Sequence, residues 1–368
     1  MSHLRKCPPQ RSATFVLCIA LIFLFLRNSD VCLSEMKRGL SLCAGVLVPT
    51  LFPYMIISEM LVRADLGYYL GKFLEKPMRR LFGISGSCAG ALALGIICGF
   101  PVGAKTAASL YSRGELTKKE LEKLLTFCNY PSAPFVIFAV GKKLLGNAAL
   151  GIFLYSVNVI TGLFFGVITK SKRHIGVTQN TRLLMNAHQP FFKIFTDSVS
   201  SAAGAVISVC ALVTFFTCAV GCISAIECIS GAPLLKAIIF SFFELTSGAA
   251  ACAALMSRSL SAILTAAAVG WSGVSVLMQI YSSCTVESDA PSLLPYIGSR
   301  VFSSAICAIS TAASIRFFPT LLPGNIPDTD VFLEFSAYPT AFTYAVNFLF
   351  LVSVLFYSNK KLDRRQMI

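Results

Sequence analysis

Residues 197–226 read DSVSSAAGAVISVCALVTFFTCAVGCISAI, and no Asp, Glu, Lys or Arg interrupts them from Ser198 to Ile226. A helix rises about 1.5 Å per residue, so an uncharged run of this length reaches across the roughly 30 Å hydrocarbon core of a bilayer. Comparable runs lie on both sides of it, at 13–26, 39–62, 84–111, 121–141, 147–169, 233–256, 260–283, 296–316 and 338–357. The composition of the 368 residues agrees: hydrophobic types make up 55% and charged types 13%, where a soluble domain carries about 25%. The mean hydropathy is +0.73. The sequence therefore predicts an all-α polytopic membrane protein.

Sidedness follows from charge. The formal net charge of +14 is spread over short connections between apolar runs, which is a topology signal and not a nucleic-acid footprint. Basic stretches at 63–80, 170–193 and 360–365 are expected in the cytoplasm, and 317–335, with Asp328, Asp330 and Glu334, outside. Met1–Arg27 resembles a signal peptide but lacks a small-residue cleavage site, so an uncleaved first helix is expected. Ten segments cannot all cross if the basic loops share one side. Two of them, 84–111 and 233–256, contain breaks that can turn the chain back: Gly99-Phe100-Pro101 in the first and Glu244-Leu245-Thr246-Ser247-Gly248 in the second. The expected architecture is about eight transmembrane helices plus two re-entrant hairpins, with both termini cytoplasmic. The order of long segment, hairpin and two crossings occurs at 39–169 and again at 197–316, the pattern of an inverted repeat.

Chemistry is expected at these breaks. Gly99, Pro101 and Gly103 supply a tight reversal and a fresh helix start, and Lys105 and Thr106 add a cation and a hydroxyl, a set suited to an anionic group. An ionisable group inside a membrane segment is a functional candidate, although Lys105 could also snorkel to headgroups. Asn129, Tyr130 and Ser132, among Pro131 and Pro134, open the backbone of the next segment and can offer carbonyls to a ligand or simply form a kink. Glu244, Thr246 and Ser247 form the matching break in the second half. Glu244 could carry a coupling proton or sodium ion, or pair with Lys105. Trp271, the single tryptophan, is either a stacking surface or an interfacial anchor. Glu59 and Glu227 sit near segment ends, where pairing explains them.

Several function classes lack their residues. Gly99–Thr106 does not end in Gly-Lys-Ser/Thr, so it is not a nucleotide-binding loop. There is no His-Glu-x-x-His and no Gly-x-Ser-x-Gly, and an enzyme is not expected. The 14 cysteines form no C-x-x-C, and most lie inside apolar runs where thiols pack as small hydrophobes. No metal and no cofactor are expected.

The stretches GLSLCAGVLVPTLFPYMIISE (39–59), GFPVGAKTAASLYSRGELTKKELEKLL (99–125) and CNYPSAPFVIFAVGKKLLG (128–146), and more loosely 243–284, resemble the YlbJ family of sporulation integral membrane proteins, within the broader group that carries the nucleoside-recognition or Gate domain. The resemblance implies residues 1–38 as an N-terminal helix and connection, 39–169 and 197–316 as two Gate-like repeats, 170–196 as a basic linker, and 317–368 as an acidic loop, last helix and basic tail. It implies a multi-pass protein of the cell membrane or the outer forespore membrane that transports a small organic anion, dipicolinic acid, during endospore formation. Nucleoside transport, or a structural or signalling role, is the alternative. The implied partners are the bilayer, a small anionic substrate, a coupling proton or sodium ion, and no nucleic acid; a homo-oligomer is left open. It places the binding site at Gly99–Thr106, Asn129–Pro134 and Glu244–Gly248.

Overall fold

A computed structural model describes residues 9–64, 66–170, 190–226, 229, 231–284 and 290–317. Every regular element among them is helical. In chain order these are α1 (Pro9–Arg27), α2 (Ser29–Leu42), α3 (Val48–Arg63), α4 (Leu66–Pro77), α5 (Ala89–Cys98), α6 (Val102–Ser112), α7 (Lys118–Leu125), α8 (Ala148–Ile168), α9 (Phe191–Ser224), α10 (Pro233–Phe243), α11 (Leu245–Ala253), α12 (Arg258–Trp271), α13 (Val274–Cys284) and α14 (Leu294–Phe317). Wider π-helical turns join α2 to α3 at Cys43–Leu47 and extend α4 at Met78–Phe82, and a π-helical segment runs over Phe135–Leu144.

The count of crossings differs from the sequence expectation of eight helices and two re-entrant hairpins. Among the described residues three spans are long and apolar enough to cross a membrane: Ala148–Ile168, Phe191–Ser224 and Arg258–Cys284, the last interrupted only at Ser272–Gly273. Two sharply bent pairs, Ala13–Arg27 with Ser29–Gly45 (98°) and Gly71–Phe82 with Gly86–Cys98 (103°), raise this to five if each pair is one span. The physical reason is that hydropathy counts apolar residues and not unbroken helix. The run 84–111 divides into helices of 10 and 11 residues, and 233–256 into helices of 11 and 9, each about 15 Å long and half the required thickness. The run 121–141 is cut by the irregular stretch around Asn129–Ser132. Helix α14 has the length, at 24 residues, but carries Arg300, Arg316 and five serines. The connection 63–80 is itself largely helical. The expected last segment, 338–357, lies outside the described residues, as do residues 171–189 of the expected linker 170–196 and residues 318–335 of the expected acidic stretch.

The architecture remains that of a polytopic membrane protein. Large apolar side chains on α1, α8 and α9, such as Phe15, Phe23, Ile160, Phe164 and Ile207, face outward, which a water-soluble surface would not tolerate in such number. Inside, one apolar cluster joins α5, α6 and α7 to α13 and Tyr296, and another joins Phe135–Leu144 and α8 to α11, α12 and Cys307. Phe100, at the α5–α6 break, packs against both.

Candidate functional site

The first break is built by glycines spaced four apart. Gly99 ends α5 at φ +79°, a region that favours glycine, and Pro101 opens α6 with no side-chain cap. Gly95 and Gly103 serve a second purpose. A Cβ on Gly95 would lie 1.8 Å from the Cys128 carbonyl oxygen and one on Gly103 2.0 Å from the same atom, while a Cβ on Gly99 would lie 2.6 Å from the Ser132 amide. The bare backbone of the break therefore forms the bed for residues 128–132. The Phe100 amide donates to the Tyr130 carbonyl at 2.7 Å and pins the two segments together. Asn129 is buried, with its amide nitrogen on the Leu125 carbonyl at 3.0 Å and its side-chain oxygen unpartnered. Tyr130 is buried and its hydroxyl donates to the Phe127 carbonyl at 2.7 Å.

One turn into α6, the Lys105 ammonium leaves this bed and turns to other helices. It lies 2.6 Å from a carboxylate oxygen of Glu59 on α3 and donates to the hydroxyl (2.9 Å) and carbonyl (3.2 Å) of Ser201 on α9. Glu59 is also 3.9 Å from Arg63, which in turn lies 3.7 Å from Asp197. Lys105, Glu59 and Ser201 line a cavity of about 290 Å³ between α3, α6, α9 and α13, whose wall includes Ser58, Ser109, Ser112 and Ser283. Thr106 is on the same wall, with its hydroxyl returned to the Val102 carbonyl at 2.9 Å. A cation beside several hydroxyls can receive an anionic group, and the 28% exposure of the Lys105 side chain leaves it reachable from the cavity.

The second break is organised differently. Glu244 is buried at 2% exposure, and its two carboxylate oxygens accept from the Thr246 amide (2.9 Å) and the Ser247 amide (2.6 Å), capping α11 with its own side chain. A carboxylate over the first amides of a helix also meets the positive end of its dipole. The lysine and this carboxylate are thus each occupied elsewhere, and the structure does not pair them. Thr246 and Ser247 are buried, and the Ser247 hydroxyl has no partner. Against this break lie Ser272 (φ +74°) and Gly273 (φ +90°), where a Gly273 Cβ would meet the Phe243–Leu245 backbone at 3.1 Å. Trp271 stacks on Phe242 with ring centroids 5.7 Å apart and donates its indole N–H to the Phe242 carbonyl at 2.9 Å, so it braces the break.

The sequence-predicted residues therefore fall into three groups. Gly99, Pro101, Gly103, Asn129, Tyr130 and Ser132 form the first bed, Lys105 and Thr106 face the cavity, and Glu244, Thr246, Ser247 and Trp271 form the second break. Sequence reasoning gave Glu59 a pairing role without naming its partner and passed over Ser201; both hold Lys105, and nothing in the local pattern announces a partner on another helix. Nor did it single out Arg300, near the start of the run 296–316, which is 1% exposed inside α14. Finally, the sulfurs of Cys32, Cys218 and Cys222 lie within 4.8 Å of one another, with Cys32 and Cys218 3.1 Å apart. Three thiols from α2 and α9 are donors a soft metal ion could use.

Over 160 residues the chain is 34% identical to the sporulation integral membrane protein YlbJ of Bacillus subtilis (strain 168). The match takes in 42% of this chain and 39% of that protein, so the chain spans about two fifths of the relative's length. The similarity is established over these 160 residues. No family profile matches the chain, and no solved structure does.

Proposed function

We propose that this chain is a secondary transporter that carries a small organic anion, dipicolinic acid, across a membrane of the sporulating cell, with the outer forespore membrane as its site of action. The observation that supports this reading is the Lys105 cavity. A carboxylate of the substrate entering it meets an ammonium already oriented by Ser201, and takes the place of Glu59 as its partner. Charge-assisted hydrogen bonds of this kind are about twice as strong as neutral ones, so the exchange gains nothing from charge alone but transfers the cation from the protein to the cargo. A volume of about 290 Å³ suits a single-ring ligand at the small end of known binding pockets. The released Glu59 keeps Arg63 as a neighbour, which limits the cost of opening the Lys105–Glu59 contact that links α3 to α6.

The test is uptake of labelled dipicolinate into proteoliposomes under a proton or a sodium gradient, with uridine as competitor. Saturable uptake that uridine leaves unchanged is expected, and the gradient that drives it identifies the coupling ion. Uptake of uridine without uptake of dipicolinate would instead assign a nucleoside cargo.

A further inference from the structure

Helix α14 buries a polar face. Its buried residues, Tyr296, Ser299, Arg300, Ser303, Cys307 and Thr311, recur at helical spacing, and apart from Tyr296 and Cys307 they offer little apolar surface to the core. At the centre is Arg300. Its contacts are poor: the Nη2 group donates to the Thr126 carbonyl at 3.4 Å, Nε reaches the Ser299 hydroxyl at 3.5 Å, and Nη1 has no partner. Among the described residues no carboxylate forms an ion pair with it. The acids of α7, the helix packed beside this part of α14, are engaged elsewhere, Glu120 in the cap of its own helix and Glu122 on the Ser292 amide at 2.8 Å.

A guanidinium cannot shed its proton inside a protein, and a buried charge without a counter-charge is strongly unfavourable in the apolar interior. The rings of Tyr130 and Tyr296, centred 5.8 and 5.4 Å from the guanidinium carbon, offset only part of that cost. The rest is unanswered. Two further groups on the same helical face are unsatisfied and can donate: the Tyr296 hydroxyl, four residues before Arg300, and the Ser303 hydroxyl, three residues after. A water molecule could fill such a gap but would not neutralise it.

The geometry points to an internal anion site on α14, in which Arg300 Nη1 and the hydroxyls of Tyr296 and Ser303 together hold one small monovalent anion, a halide or the carboxylate of a small organic acid. The site is separate from the Lys105 cavity, whose walls come from α3, α6, α9 and α13, and it does not depend on which cargo that cavity takes. Its location behind Tyr130, whose carbonyl receives the Phe100 amide at the first break, lets its occupancy bear on that break.

The experiment is thermal melting of the purified full chain, titrated with sodium chloride or sodium formate, ionic strength being held constant with sodium gluconate, an anion too large for a fully buried site. The wild type is expected to melt higher in chloride or formate than in gluconate, with saturation. Saturation by chloride alone assigns a halide, and saturation by formate assigns a carboxylate. The double variant Tyr296→Phe, Ser303→Ala keeps the guanidinium and the packing but removes two donors, and its apparent dissociation constant should be at least about tenfold weaker. Arg300→Gln, if it folds, should lose the response. A wild type that melts alike in all three salts, or a double variant that titrates like the wild type, overturns the site and leaves buried water in its place. Because the readout is binding and not uptake, its failure leaves the transport proposal standing, and the converse also holds.

Discussion

The two helix breaks solve one problem in opposite ways. At the first, α6 begins without a side-chain cap, glycines let another segment lie directly on the backbone, and the nearby cation answers to α3 and α9. At the second, α11 is capped by the carboxylate of Glu244 within its own turn, and Trp271 braces the outside. The first break is open to long-range partners and the second is closed on itself. A polar group inside a membrane segment can therefore be structural in one half of a molecule and available in the other, and its hydrogen bonds decide which.

The largest expected effect falls on the glycine bed. Gly95→Ala and Gly103→Ala place a Cβ on the Cys128 carbonyl, and because backbone has no rotamer to yield, each should cost about 3 kcal/mol or more and leave little folded protein in size-exclusion profiles of detergent extracts. Gly273→Ala, at the second break, meets backbone at 3.1 Å and mainly pays for its positive φ, about 1 to 2 kcal/mol. Gly204→Ala, with nothing within 4 Å, should be neutral or mildly stabilising. Equal profiles for Gly95→Ala and Gly204→Ala would remove the close-packed bed from the account.

Next comes the cap. Glu244→Ala strips two buried amides of their acceptors and should lower stability by about 2 kcal/mol, read as a fall in melting temperature, whereas Glu244→Gln retains one acceptor and should lose less. An unchanged melting temperature for Glu244→Ala would mean the carboxylate is not holding the helix. Smaller than the cap is Trp271→Phe, which keeps the stack on Phe242 and loses one hydrogen bond, about 1 kcal/mol. Since the indole is already stacked and bonded, tryptophan emission of the wild type should not respond to dipicolinate; strong quenching would return Trp271 to the ligand.

Much of this contrast is visible in the residues themselves. Gly99-Phe100-Pro101 and Phe243-Glu244-Leu245 mark the points where the helices end, because positive-φ glycine, proline and a capping carboxylate act locally. The number of crossings was not legible, since apolar composition continues through a break that ends the hydrogen-bond ladder. Partners were not legible either. Cys32 meets Cys218 across 186 residues, Lys105 meets Ser201 across 96, and Arg300 meets Thr126 across 174, and none of these contacts leaves a periodic trace in the chain. The helix that holds Arg300 is legible as the apolar run 296–316 and is long enough to span a bilayer, but nothing in that run announces that Arg300 is buried inside it.

The most direct measurement is initial dipicolinate uptake per folded molecule for Lys105→Met and Glu244→Gln, reconstituted side by side with the wild type. The account predicts that Lys105→Met stays folded, at a stability cost of about 1 kcal/mol because its ion pair is partly exposed, and loses at least about 90% of uptake. Glu244→Gln should melt lower yet transport at close to the wild-type rate per folded molecule. The reverse pattern, full uptake by Lys105→Met and none by a folded Glu244→Gln, would contradict it and move the cargo to the second break.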